Sequence, residues 1–294
     1  MPEPRPLLGV SLMLSAVFCF ALLDATSKHL SQTFNVPLLV WARYGVHLLL
    51  MLVIFGASHG LRLVATTRPL AQIVRALLLV GVTGFAMAAF RVMPLAETTA
   101  LLFVTPLIVA LLAGPMLGEH VDLRRWLAAL AGFAGTLLIA RPGGDLSMNG
   151  IAFAMLAAIC YSFYHIQTRR LAATEQPMTM VFYTALVGTA TMSVALPWIW
   201  HGPAPNPGQA AMIASLALYG GFGHYLLTHA FRHSSASRLA PFLYAQLIWA
   251  TLLGGLWHEQ WPDPLSIAGM AVIVASGIFS AFAEGKARME SERG

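Results

Sequence analysis

Apolar residues run along this chain in blocks of about twenty, interrupted at short intervals by clusters of proline, glycine and charged residues. A helix rises about 1.5 Å per residue, so about 20 apolar residues match the roughly 30 Å hydrocarbon layer of a bilayer. Ten stretches reach that length, at residues 7–29, 36–56, 69–90, 94–116, 123–140, 148–168, 177–199, 208–231, 235–257 and 263–283. Between them stand breakers such as Arg141-Pro142-Gly143-Gly144, His201-Gly202-Pro203 through Pro207-Gly208, and Trp261-Pro262-Asp263-Pro264. The pattern predicts an all-α integral membrane protein with ten transmembrane helices and no connection long enough for a soluble domain. Ahead of the first span lie only Glu3 and Arg5, with no small-residue cleavage site, so that span reads as a retained helix rather than a signal peptide.

Composition agrees with lipid as the solvent. Residues of the set AVILMFWYC make up 58% of the 294 and charged residues only 10%, where about 25% charged is usual for soluble chains. Mean hydropathy is +0.72. Disorder, a coiled coil and a disulfide-rich module are excluded by the same figures. Cys19 and Cys160 lie in apolar runs and read as small packing residues. The net charge of +5 suggests nucleic acid, yet no run of Lys or Arg exceeds two residues, so no phosphate-binding patch forms. The positive charges instead set orientation. With the N-terminus inside, Arg5, Arg62, Arg68, Arg124, Arg125, Arg169, Arg170, Arg232, Arg238, Lys286, Arg288 and Arg293 are cytoplasmic, against Lys28, Arg91 and Arg141 outside. Both termini of this multi-pass protein are therefore expected in the cytoplasm.

Sliding the chain against itself by 141 residues, the distance from Cys19 to Cys160, brings out a duplication. Gly9 through Leu30 lies on Gly150 through Leu171, and Ala89-Phe90-Arg91 on Ala230-Phe231-Arg232. After a one-residue slip, Gly118-Glu119-His120 meets His258-Glu259-Gln260. The expected units are residues 7–141 and 148–283, with five spans each. Five is odd, so the second unit crosses in the opposite sense to the first. Inverted repeats of this kind are characteristic of secondary transporters, with a midplane site between halves that rock around it.

The run Phe90-Arg91-Val92-Met93-Pro94-Leu95-Ala96-Glu97, continuing through Leu101–Pro106, Leu117-Gly118-Glu119 and Trp126–Ile139, closely resembles the C-terminal half of an EamA repeat. Val40-Trp41-Ala42-Arg43-Tyr44 is similar to the Arg-aromatic motif early in that family's second helix. The resemblance extends over the whole chain as two tandem repeats of the drug/metabolite transporter superfamily. It implies a ten-helix exporter of small metabolites, of the bacterial amino-acid exporter type that includes aromatic amino-acid exporters. Two positions depart from the pattern: Gln246 stands where the first repeat has Pro106, and the first helix carries Asp24 and lacks a tryptophan found in many relatives.

Ionisable groups inside a bilayer cost about 2.5–3.5 kcal/mol each on insertion scales, so each asks for a role. Asp24 and Arg43 fall at similar depth, roughly 10 Å below the outer surface by helical rise. They are expected either to neutralise one another or to form an outer gate, with Arg43 also suited to a substrate carboxylate. His165 lies one repeat after Asp24, and shares a helix face with Tyr161. That face is either interfacial packing or the inner end of the same pathway. His224 follows Gly220, Gly221 and Gly223 midway along the eighth span, and Gln246 is central in the ninth. A cavity lined by His224, Gln246, Tyr161, Tyr244, Phe20 and Phe103 suits an amphipathic, partly aromatic solute. Arg75 lies within a span without an assigned role, while Glu119 and Glu259 are read as loop or capping residues.

No H-E-x-x-H helix, G-x-S-x-G elbow, Walker loop or Cys/His cluster occurs, so no catalytic residue, metal or cofactor is expected. The sequence thus predicts a secondary transporter, functional as a single chain, with a small organic solute and the lipid bilayer as its partners and no nucleic acid. Amino acids, aromatic ones included, are the expected cargo. Multidrug or nucleoside efflux is the alternative on the same fold, and a channel or intramembrane enzyme the rival classes.

Overall fold

A computed structural model describes residues 6–117, 123–141, 145–172, 174–199, 203–234 and 236–291. The described residues are helical and contain no strand. In chain order the helices are α1 (Pro6–Thr33), α2 (Val36–His59), α3 (Pro69–Val92), α4 (Leu95–Leu102), α5 (Thr105–Leu117) and α6 (Leu123–Ala140). The second half supplies α7 (Met148–Ala172), α8 (Pro177–Ile199), α9 (Pro207–His233), α10 (Ala236–Leu243), α11 (Ala245–His258) and α12 (Pro264–Ser291). Proline opens several of them, because the first turn has no use for its missing N–H. Asn35 caps α2 by accepting from the Leu38 N–H, and Asn206 with Gln209 forms a reciprocal capping box on α9.

Among the described residues, six helices are long and apolar enough to cross a bilayer: α1, α2, α3, α7, α8 and α9. Shorter apolar helices fill much of the remainder. The fourth and ninth expected spans differ from plain helices, since each is two helices in series, α4–α5 and α10–α11. In the first, Pro106 sits in the opening turn of α5, where its ring conflicts with the carbonyl four residues back, at the end of α4. In the second, Pro241 lies inside α10 and the chain turns at Tyr244, whose carbonyl accepts a tight bond from the Leu247 N–H at 3.0 Å. The two breaks fall at Phe103-Val104 and Tyr244, one repeat length apart. Glu119 and His120 lie outside the described residues, whereas Glu259 ends α11 in the left-handed conformation at φ 54°.

Packing runs mainly between the halves. The most extensive pairings are α1 with α9, α3 with α7, α6 with α12 and α2 with α8. Exchanging the halves swaps the first two pairings and maps each of the other two onto itself, which is the pattern of a two-fold relation. Where α6 crosses α12, a side chain on Gly135 would begin 2.8 Å from the Gly269 carbonyl oxygen, and one on Gly269 2.7 Å from that of Gly135. Small residues let these backbones approach where apolar burial alone gives no preference for protein over lipid. Leu7, Val53, Ile54, Val194, Trp198 and Leu256 are exposed on the outer surface, as expected of lipid-facing positions.

Contacts among the connections sort them into two ends. At one, Glu175 after α7 accepts from Thr66 Oγ1 (2.7 Å), Thr67 Oγ1 (2.9 Å), the Thr67 N–H (3.2 Å) and Gln72 Nε2 (3.3 Å), and Arg170 donates to the Met116 carbonyl. At the other, Lys28 Nζ donates to the carbonyls of Phe90 (2.9 Å) and Met93 (2.6 Å), and Arg141 pairs with Asp263 at 3.2 Å. Met93 at the end of α3 also lies against Gly150 at the start of α7, so those helices run antiparallel.

Candidate functional site

Asp24 and Gln246, 222 positions apart, meet where α1 passes the first turn of α11: Gln246 Nε2 donates to Asp24 Oδ2 at 2.9 Å. One turn earlier on α1, the Phe20 ring meets His224 of α9 edge-on, with centroids 4.9 Å apart. Gly223 makes room for this contact, because a side chain there would begin 2.6 Å from Phe20. Arg43 of α2 lies beside Gly220, its guanidinium 3.6 Å from the place a Cβ would occupy, an ordinary contact distance. On α7, the rings of Tyr161 and His165 meet at a tilt one turn apart, 4.3 Å between centroids, and Tyr164 stacks on Tyr161 at 5.9 Å.

Phe103 and Tyr244 stand at the two helix breaks, and their rings lie 5.1 Å apart. The Tyr244 phenol lies against Gly277 of α12, where even a methyl group would collide with it. Each broken helix therefore places an aromatic ring against its counterpart from the other half, with Gln246 two residues beyond.

Electrostatics joins these pairs into one cluster. Asp24 lies within electrostatic range of Arg43 and Tyr161, and Arg43 also within range of His47 and His224. The expected Asp24–Arg43 ion pair is not formed among the described residues: Asp24 turns to Gln246, and Arg43 stands off beside Gly220. The side chains of His165 and His224 are both exposed. Two other concavities lie apart from this cluster. One of about 500 Å³ is bordered by Thr67, Arg68, Leu70, Val74 and Gln167, and one of about 150 Å³ by Val104, Leu107, Leu111, Trp126 and Phe133.

Sequence reasoning missed two participants. His47 follows Arg43 by four residues and shares its helix face, a spacing visible in the sequence. Arg75 is buried and fully engaged: Nε donates to Thr168 Oγ1 (2.9 Å), Nη1 to the Met180 carbonyl (2.9 Å) and Thr184 Oγ1 (3.0 Å), and Nη2 to the Tyr164 hydroxyl (3.0 Å). Its guanidinium carbon also stands 4.8 Å from the Tyr164 ring centre. It ties α3 to α7 and α8, and only the fold brings those acceptors together. Outside the spans, the Thr66 hydroxyl, followed by the Thr67 hydroxyl and N–H and Gln72, holds the Glu175 carboxyl below the usual carboxylate range.

These features define a multi-pass helical membrane protein built from two related halves, with a cluster of polar and aromatic side chains contributed by both. The profile of the EamA-like transporter family matches residues 7–141 and 148–282, so the chain belongs to that family, within the drug/metabolite transporter superfamily. It is a small-molecule transporter, not an enzyme. Among similar proteins are an S-adenosylmethionine uptake transporter of Rickettsia prowazekii, 25% identical over 95% of this chain and 94% of the relative. A riboflavin transporter of Vibrio cholerae is 27% identical over 94% and 93%. A pseudopaline exporter of Pseudomonas aeruginosa is 28% identical over 92% and 94%. A protein of known crystal structure shares the fold, with a TM-score of 0.66 and 18% identity over 95% of this chain and 98% of that one.

Proposed function

We propose that this transporter carries amino acids or amino-acid-like solutes bearing an aromatic ring, outward across a bacterial inner membrane. In this reading the chain crosses ten times, with both termini in the cytoplasm. Residues 7–141 and 148–283 form inverted units that rock around the cluster to alternate access, and one chain suffices. The observation that carries the reading is the meeting of the two helix breaks, Phe103 against Tyr244, beside Asp24, Gln246 and Arg43. Discontinuous helices at matching places in two repeats are where transporters of this architecture hold their cargo. Tyr161, His224 and Phe20 offer ring faces and edges for stacking, Gln246 offers both donors and an acceptor, and Arg43 suits a carboxylate. Asp24 and His165 sit toward opposite ends of the pathway. Two of the relatives are named for solutes with fused aromatic rings, S-adenosylmethionine and riboflavin, which accords with an aromatic lining.

The test is counterflow into proteoliposomes, with phenylalanine, tryptophan, threonine, methionine, S-adenosylmethionine, riboflavin, nucleosides and cationic drugs offered in turn. Trans-stimulated exchange of tryptophan or phenylalanine is expected. Exchange confined to nucleosides or cationic drugs transfers the assignment to the efflux alternative, and uptake without trans-stimulation indicates a channel.

A further inference from the structure

Asp24 is a half-buried carboxylate inside a membrane-spanning helix, and its hydrogen-bond partner is a neutral amide. Burying a carboxylate is tolerated when a cation pairs with it directly. Among the described residues no cation does. Arg43 from α2 is within electrostatic range but without a salt bridge, and Tyr161 from α7 is also within range. From α9 comes His224, in range of Arg43 and of His47 and His165. The other charges near α1 are turned elsewhere. Lys28, one turn along α1, donates to the ends of α3 and lies in range of Glu97 on α4. His258 at the end of α11 meets the Ala25 carbonyl at 3.3 Å. Arg75 of α3 is engaged with Thr168, Thr184, Met180 and Tyr164. From α10, the described side chains Leu239, Phe242 and Leu243 are apolar.

The partner's position gives the carboxylate a mechanical connection. Gln246 stands in the first turn of α11, two residues after the break at Tyr244, whose ring is fixed between Phe103 and Gly277. A charged Asp24 accepts from the Gln246 amide N–H. A protonated Asp24 gains an O–H donor that suits the carbonyl oxygen of the same amide, while its second oxygen can still accept from the amide N–H. Protonation therefore allows a second bond between α1 and α11, at the point where the α10–α11 segment is already discontinuous.

Resting on the reading of this cluster as the transport site, we infer that Asp24 is a proton-binding site that couples solute movement to the proton gradient, with Gln246 passing its protonation state to the break between α10 and α11. Each cycle loads one proton on the carboxylate from one side and releases it on the other. No covalent bond to solute forms, and the gradient itself is the energy source.

Two measurements test this separately from the transport reading. In proteoliposomes that exchange tryptophan, riboflavin or S-adenosylmethionine, an imposed gradient of one pH unit is expected to drive up to about tenfold accumulation at one proton per solute. The direction of gradient that does so distinguishes exchange from co-transport. Asp24→Asn is expected to lose the gradient-driven part. Exchange that ignores the gradient overturns the coupling and leaves the transporter standing. If none of these solutes exchanges, the transport reading of the cluster fails, and the proton site is then decided on purified protein by infrared difference spectroscopy between neutral and acidic pH. A carboxylic-acid C=O band that titrates apart from the surface carboxyls and vanishes in Asp24→Asn supports the site, whereas identical spectra for the two proteins overturn it.

Discussion

Glu175 shows how a single side chain joins the halves. It is the hub of four hydrogen bonds from Thr66, Thr67 and Gln72, and so ties the connection after α7 to the segment before α3. Because those donors favour its charged form, its folded pKa is lowered. Its contribution is therefore complete above the unfolded value of about 4.3 and is lost as pH falls through the lower folded value. Glu175→Gln is expected to melt earlier than the parent at pH 7, by the equivalent of about 1 kcal/mol for the charge-assisted bonds lost. The difference should close as the pH is brought below 4. Thermal unfolding of both proteins in detergent across that range checks the sign, and a difference that persists unchanged in acid contradicts it. Of the residues singled out in the sequence, Asp24, Gln246 and His224 stand out because a polar group interrupting an apolar run is itself a signal, whereas Phe20 is one of 16 phenylalanines and its contact with His224 is set by the fold. Arg75 was visible only as an arginine in a span, since its acceptors lie on α7 and α8.

At the scale of elements, the two breaks matter most. Pro106 makes the first one readable, because a ring without an N–H cannot continue a helix from α4. The second had no such mark at Gln246. There the turn at Tyr244 follows Pro241 and is held by packing, with the ring lodged between Phe103 and Gly277. Replacing Pro106 by alanine removes a helix penalty of about 3 kcal/mol and favours a continuous helix through Phe103-Val104. If the break serves the transport cycle, Pro106→Ala slows counterflow by tenfold or more, a barrier increase of about 1.4 kcal/mol, without lowering the melting temperature. Unchanged counterflow would argue that the α4–α5 break has no part in the rate-limiting step.

For the whole molecule, the halves interlock rather than pack as separate bodies: α1 lies on α9 and α3 on α7, so neither half keeps its largest contacts to itself. This arrangement also fixes which connections share a side. The contacts of Glu175 place 66–72 and 175 at one end, and Arg141 with Asp263 at the other. Expected labelling follows from the distribution of Lys and Arg. With Cys19 and Cys160 replaced by alanine, Asp145→Cys should react with an impermeant maleimide in intact cells, and Thr66→Cys only after permeabilisation. Reversed labelling would invert the orientation, and labelling of both from outside would contradict the fold.

The sequence by itself determined the solvent, the helical class, the duplication and the family, because length, apolarity and repeat offset are properties of local stretches of chain. The tertiary structure decided that Asp24 turns to Gln246 instead of Arg43, that Phe103 meets Tyr244, and that α11 begins at a break no proline marks. Those outcomes depend on how helices more than a hundred residues apart cross, and on the room left by Gly223 and Gly277 at the crossings. Apolar periodicity reports which face of a helix avoids water, and in a bilayer it does not report which neighbour that face will meet.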